Sequence, residues 1–431
     1  MADPKARPSE IEALESEAAR AAQAGRAQDV LRLWGRILKI DPNHVRTLAA
    51  VGQQAFNEGD PRSARTTFQR LTAIDSANPQ HWIQLALACR QLNDDAGAES
   101  AVQRALNLDP MELVGLILRG NLLERQGRTH DAARAYGAVA AVAPPLERLH
   151  PSLRPAVTHA ATFREKYDRE CAEFLEGRLE GQFKAFAGEN LDRFRDSLDI
   201  MVGRKRRYDS RSAIYHYPRL APVEFFEPAR FPWLDEVEAA TDSIRDEFLQ
   251  VLDTEEGFTP YITYPEDVPH NQWAELNNSP RWSAFHLYKM GRIVAENAAR
   301  CPATLKVLEA APMPDQPGRT PSAMFSLLKP KTRIPPHNGV TNTRLVTHLA
   351  LIVPEGCGFR CGNQTRSWVP GKAWVFDDTI EHEAWNDSDK LRVVLIFDIW
   401  HPDLTPAERA MITALMAGLN EFSGASTGFE P

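Results

Sequence analysis

Small, bulky and turn-forming residues recur over the first third of the chain with a fixed step of 34 residues. Gly25, Gly59, Asn93 and Gly127 share one phase, and the small Ala18, Gly52, Ala86 and Gly120 share another. Val30, Ala64, Ala98 and Ala132 follow the same step, as do the bulky Trp34, Phe68, Val102 and Tyr136. Pro42, Pro110 and Pro144 hold a further position, with Ser76 the exception and Pro79 displaced nearby. Pairs of antiparallel helices account for this. The small residues allow close approach, the bulky one fills the groove, Gly or Asn makes the turn, and Pro opens the next unit, where its missing N–H costs nothing. From Leu146 to about Tyr208 the spacing of Phe163, Tyr167, Cys171, Phe174 and Leu175 predicts further helix, with this stripe in a core. Prolines and aromatics crowd in after Tyr217, which places a domain boundary near 210. A helix follows over Leu234–Leu252, amphipathic through Val237, Ala240, Ile244, Phe248 and Val251. Residues 321–400 read instead as short strands: Met324–Leu328, Leu345–Val353, Ala373–Phe376 and Arg392–Trp400. Between them lie the turn signals Lys329-Pro330-Lys331, Pro335-Pro336, Pro354-Glu355-Gly356, Pro370-Gly371 and Asn386-Asp387. Closely spaced strands without helices between them predict an antiparallel sandwich or barrel.

The 34-residue pattern resembles the tetratricopeptide repeat, four copies in phase over residues 10–144. That resemblance implies an all-α solenoid whose concave face binds a peptide or protein. Packing against a neighbouring domain or dimerisation is the plainer alternative.

Composition narrows the remaining possibilities. The 431 residues carry 50 Lys+Arg against 58 Asp+Glu, a net charge of −8, which offers no general attraction for nucleic acid or anionic lipid. The basic run Arg204-Lys205-Arg206-Arg207 reads as solvated surface or a local contact. Five cysteines make no disulfide framework, and Cys357 and Cys361 lack the second pair of a zinc site. No apolar run approaches the ~20 residues of a membrane span, and Met1–Pro8 lacks a signal-peptide core. A cytoplasmic protein with reduced thiols is expected.

Candidate chemistry concentrates among the strands. His337 follows Pro335-Pro336, His382 comes 45 residues later, and Arg392 opens a strongly apolar strand. Neutral imidazoles at two strand ends can bind divalent iron, and a guanidinium inside a barrel can clamp a carboxylate bidentately. Spacing alone leaves these as candidates, because histidines in strands are also ordinary buried or surface residues.

The run from His337-Asn338-Gly339-Val340-Thr341-Asn342-Thr343-Arg344-Leu345 to His348-Leu349, then Phe376-Asp377-Asp378, Glu381-His382-Glu383-Ala384-Trp385, Leu391-Arg392-Val393 and Trp400-His401-Pro402-Asp403-Leu404, resembles the aspartyl/asparaginyl β-hydroxylase family. It extends over about 215–412. The resemblance implies a double-stranded β-helix (jelly-roll) fold and dependence on Fe(II), 2-oxoglutarate and O2. It also implies hydroxylation at the β-carbon of an Asp or Asn residue, with release of succinate and CO2.

Residue by residue, the resemblance makes His337 and His382 the iron ligands and Arg392, with Ser326, the clamp for the distal carboxylate of 2-oxoglutarate. His348 falls near the proximal carboxylate. Most 2-oxoglutarate oxygenases carry a ligating carboxylate two residues after the first His; Gly339 stands there, a departure this family shares. Arg344 matches a substrate-binding arginine, and Arg292 aligns loosely with another. Val346 stands where animal members carry a second arginine, which weakens the grip on an acidic group. Asp377 and Asp378 read as turn residues and not as ligands. Glu381 or Glu383 is a candidate to orient the neighbouring imidazole, an exposed strand face being the alternative. Trp368, Trp374, Trp385, Trp400 and His401 read as structural.

The expected architecture is an α+β multidomain chain: a tetratricopeptide array over 10–144, a helical connector over 145–210, and the oxygenase domain over 211–415. The alternatives to a peptidyl substrate are a free or carrier-tethered amino acid, a lipid acyl chain, or a scaffold role with an inactive oxygenase domain.

Overall fold

A computed structural model describes residues 6–423 apart from 255, 268, 270 and 317. Of the N-terminal stretch Met1–Pro8, residues 1–5 lie outside the described residues. The chain forms two compact units, Met1–Arg204 and Lys205–Pro431.

The first unit opens with four helix pairs: α1 (Ala6–Gln23) with α2 (Ala27–Ile40), α3 (Val45–Asn57) with α4 (Pro61–Ile74), α5 (Pro79–Gln91) with α6 (Asp95–Leu108), and α7 (Leu113–Arg125) with α8 (Thr129–Val142). Each intra-pair turn passes through a residue with φ between +57° and +79°: Gly25, Gly59, Asn93 and Gly127. Asn is the side chain that tolerates this left-handed conformation best, so the one departure from Gly keeps the turn. The small residues do what their spacing predicted. A Cβ at Gly52 would run into the ring of Phe68, and one at Gly120 into the ring of Tyr136. Residues 113–142 thus form a pair locked by a fully buried Tyr136.

Two further helices, α9 (Arg154–Ala185) and α10 (Asp192–Met201), belong to the same compact unit as the repeats. α9 packs on α8 through Ala160 and through Phe163, whose ring meets Tyr136 edge-on at 5.1 Å. The expectation that its aromatic stripe is core is corrected further along. Phe174 is 67% exposed, and only Ala160 and Ala172 of α9 are buried. The C-terminal half of α9 packs with α10 through Ala172, Leu198 and Val202.

The second unit has two antiparallel sheets. The larger contains β1 (Phe258–Pro260), β2 (Trp282–Lys289), β3 (Arg292–Ile293), β4 (Ala323–Leu328), β6 (Arg344–Ile352), β9 (Ala373–Phe376) and β11 (Arg392–Trp400), in the order β1-β2-β4-β11-β6-β9 with β3 on β2. The smaller contains β5 (Thr332–His337), β7 (Cys357–Cys361), β8 (Gln364–Arg366) and β10 (His382–Asn386), in the order β5-β10-β7-β8. The helices of this unit are α11 (Leu234–Ala239), α12 (Thr241–Thr254), α13 (Ala295–Ala298), α14 (Pro302–Ala310) and α15 (Pro406–Ser423). The expected single helix over 234–252 is thus two, parted at Ala240, while Val237, Ile244, Phe248 and Val251 still share one core.

Side chains alternate across a strand with period two. On β11, Val393, Leu395, Phe397 and Ile399 pack with the helices, as do Leu345, Leu349 and Leu351 of β6. The intervening residues turn to the other face, where Val394, Val346 and Ala350 meet Ile334, Phe359 and Ala384 of the smaller sheet. Two antiparallel sheets closed over this shared interior make a jelly-roll, as expected.

One sequence signal misled. Pro335-Pro336, expected as a turn, lies inside β5. That strand is at a sheet edge, and its register with β10 slips between His382 and Ala384, so both prolines fall in a bulge opposite Glu383. An edge and a bulge are the places where a strand can do without N–H donors.

The array's packing predicts that Gly120→Val destabilises the protein by about 1–3 kcal/mol through overpacking on Tyr136, while Asn93→Gly leaves stability unchanged or slightly higher. Urea unfolding followed by circular dichroism measures both. A Gly120→Val protein as stable as its parent would contradict the close approach.

Candidate active site

The bulge on β5 and the start of β10 bring two histidines face to face. His337 and His382 are register partners across the strand pair, and their ring centroids lie 4.1 Å apart. The same local device orients each ring. His337 Nδ1 lies 2.8 Å from the carbonyl of Pro335, and His382 Nδ1 lies 3.0 Å from that of Ile380. A proton on Nδ1 bonded to a carbonyl leaves the Nε2 lone pair of each ring open toward the cavity. Enclosure holds His337 down to about 3, helped by its neighbour His382, and holds His382 down to about 4 against its favourable backbone contact. Both rings are neutral near pH 7, the state a metal ligand needs. Neither Glu381 nor Glu383 bonds an imidazole: Arg360 takes both, at 3.0 and 2.5 Å.

The turn ahead of His382 is built by Asp377, whose Oδ1 accepts from the backbone N–H and hydroxyl of Thr379 at 3.0 and 2.5 Å. Burial raises this carboxyl to about 7. Asp378 turns the other way. Its carbonyl accepts the Gly339 N–H at 2.6 Å, and its carboxylate lies against Gly339, where any Cβ would overlap it. The position two residues after His337 therefore has no room for a ligating side chain. Among the described residues, no group of three or more His, Cys, Asp or Glu is arranged to hold a metal ion.

The strand alternation that fills the core also aims polar residues into the cavity. Arg344, Ser326, His348, Arg392 and Asp398 line it, with the apolar Val346 among them and Asp378 from the turn ahead of β10. Arg344, expected to meet substrate, is braced by two buried acids: Nη1 lies 2.7 Å from Asp398 and Nη2 lies 3.1 Å from Asp378. Arg392 is different. It is 1% exposed, sits 5.1 Å over the ring of Trp368, and reaches only the carbonyl and hydroxyl of Ser326, at 3.4 and 3.5 Å. Among the described residues no carboxylate pairs with it, and burial pulls its pKa down to about 10. A buried charge without an acidic partner is costly unless an anion compensates it. Ser326 accepts the Trp282 indole N–H at 3.1 Å, which leaves its own proton available to the same anion. His348 stacks near Trp368, is held neutral by burial and by Arg392, and its Nδ1 has no hydrogen-bond partner among the described residues.

Two placements differ from expectation. Arg292 is exposed on β3 opposite Lys289 and does not line the cavity. Its short hairpin turns it outward, away from the interior face of β2. Arg319, by contrast, is buried and lines the cavity. A basic residue in the Gly318-Arg319-Thr320 turn just before a predicted interior strand was the available signal for it. Trp368 and Trp374 are buried as expected, yet they also form the stacked wall behind His348. Cys357 and Cys361 are buried free thiols, and His401 is buried against Phe226.

Residues 238–402 match the family model described as aspartyl/asparaginyl beta-hydroxylase. The aspartyl/asparaginyl beta-hydroxylase of Mus musculus is 28% identical over 369 residues, 83% of this chain and 44% of the mouse protein. The ornithine lipid ester-linked acyl 2-hydroxylase of Rhizobium tropici is 36% identical over 194 residues, 44% of this chain and 65% of that protein. A crystal structure of MamA protein is 21% identical, covering 41% of this chain and 94% of its own, with a TM-score of 0.32. The chain spans less than half the length of the mouse relative. The two histidines, the buried Arg392 and strands β4, β6, β9 and β11 all fall inside the segment that matches this family model.

Proposed function

We propose that the second unit is an Fe(II)- and 2-oxoglutarate-dependent hydroxylase. The observation that carries this reading is Arg392, a buried cation with no acidic partner among the described residues, in the cavity that also receives two neutral imidazoles. The donor set fits the metal: two Nε2 lone pairs, fixed by backbone contacts, and no room at Gly339 for a third side-chain ligand. With O2 and 2-oxoglutarate, iron supplies the oxidising power to convert a C–H bond to C–OH while 2-oxoglutarate becomes succinate and CO2.

The chain's own contributions follow from its geometry. His337 and His382 hold the metal. Arg392 and Ser326 hold the distal carboxylate of 2-oxoglutarate, and His348, neutral and with an open Nδ1, serves its proximal end. The aromatic wall of Phe359, Phe376 and Trp368 excludes water from the reacting groups.

At the substrate end, Arg344 already shares its charge with Asp378 and Asp398, and Val346 adds an apolar wall. An incoming carboxylate would compete with two acids for one guanidinium. This favours an uncharged target, an asparaginyl side chain ahead of an aspartyl one. The match to a lipid acyl 2-hydroxylase keeps an apolar chain as the second reading. The repeat array is assigned to holding a peptide or protein partner; among the described residues no helix is long and apolar enough to cross a membrane.

Two outcomes test this. Anaerobic titration of the iron-loaded protein with 2-oxoglutarate should show binding that weakens by about 1.5–3 kcal/mol in Arg392→Lys, because lysine cannot reproduce a bidentate contact. Unchanged affinity would place the clamp elsewhere. Matched peptides differing only in Asn or Asp, incubated with iron, 2-oxoglutarate and O2, should gain oxygen by mass spectrometry faster for Asn. A strong preference for Asp would contradict the reading of Arg344.

A further inference from the structure

Between Lys205 and Tyr217 the chain has neither helix nor strand beyond a single bridge at Tyr215, and it lies ahead of the segment matched to the family. The side chains of Arg211, Ala213 and Ile214 are exposed. Their backbone groups are not idle. The Arg211 N–H donates to the carbonyl of Thr379 at 2.8 Å, and the Ser210 and Thr379 hydroxyls lie 2.6 Å apart. The Ala213 N–H donates to Gly339 at 3.3 Å, and those of Ile214 and Tyr215 donate to Val340 at 2.9 and 3.1 Å. Tyr217 closes the run: its N–H and carbonyl are bracketed by the side-chain amide of Asn342 at 2.7 and 2.8 Å.

These acceptors belong to two loops only. One, 338–342, leaves His337; the other, 377–381, delivers His382. The loops meet directly through the Gly339 N–H on Asp378 and through Asn338 Nδ2 on Thr379 at 2.8 Å. The segment adds a second set of ties across the same gap. A metal held by only two side chains depends on their spacing more than one held by three, since no third ligand corrects an error.

We propose that residues 210–217 are a positioning strap that sets the spacing of the two histidines by pinning the loops behind them. The inference rests on the two-histidine metal reading above; the strap itself touches neither metal nor co-substrate. Since at Arg211 and Ile214 the strap works through backbone N–H groups beneath exposed side chains, proline and alanine substitutions there separate its action from ordinary side-chain packing.

In the full chain, Ile214→Pro and Arg211→Pro each delete one donor, while Ile214→Ala and Arg211→Ala keep it. Co(II) titration followed by visible absorption should show about tenfold weaker binding in each proline variant, the scale of other outer-shell losses. The alanine variants should match the parent. Equal affinity for proline and alanine variants would overturn the proposal. Should the proline variants fail to melt cooperatively, Ser210→Ala decides: it should bind cobalt about threefold more weakly than Arg211→Ala, and equality would overturn the strap. If parental cobalt binding is indifferent to His337→Ala and His382→Ala, the metal reading fails separately. The strap is then judged by amide exchange at 339–341 and 378–381, which must quicken in Ile214→Pro and not in Ile214→Ala.

Discussion

Every side chain on β6 and β11 must face one of two directions, and that constraint organises the second unit. One face is entirely committed to the helices, through Leu345, Leu349, Leu395 and Phe397. The other receives Arg344, Val346, His348, Arg392 and Asp398 within two adjacent strands held in continuous register from Arg344↔Trp400 to His348↔Ile396. A one-residue slip would send the cations into the helical core and the leucines into the cavity. The apolar packing that stabilises the sheet is thus also what fixes where the charges point.

Inside the cavity the charges divide into two kinds. Arg344, Asp378 and Asp398 satisfy one another and brace the loop at Gly339 against β6 and β11. Arg392 has an aromatic backing and a hydroxyl, but no acid. The first set supports structure; under the proposed function the second would take the carboxylate of the co-substrate. Gly339 stands between them: its missing side chain admits the Asp378 carboxylate and leaves no room for a ligating side chain at that position.

The repeats were legible because their signal is periodic: four turns share one left-handed position and the small residues recur beneath aromatic rings. Strands β4, β6, β9 and β11 were legible through their apolar runs, whereas β2, equally buried, was not. β5, β7, β8 and β10 were not, being short and polar, with prolines in one and charges in others; their pairing is a tertiary fact. The cavity's main residues were identifiable through family likeness more than through spacing. What that likeness could not convey was partnership. Arg344 is occupied by acids from two other segments, Arg292 is turned away by a hairpin, and Arg319 arrives from a loop with no periodicity to mark it. The strap at 210–217 carries little sequence signal because most of its ties are backbone N–H groups that any residue but proline supplies.

In the proposed function two histidines and one buried arginine, which has no acidic partner among the described residues, form a metal and dicarboxylate site. An anaerobic crystal structure of the full chain with Mn(II) and 2-oxoglutarate tests it most directly. The expected result is metal on Nε2 of His337 and His382 as its only protein ligands, with the distal carboxylate of 2-oxoglutarate on Arg392 and Ser326. Metal bound through Asp377 or Asp378, or a dicarboxylate seated away from Arg392, would contradict it.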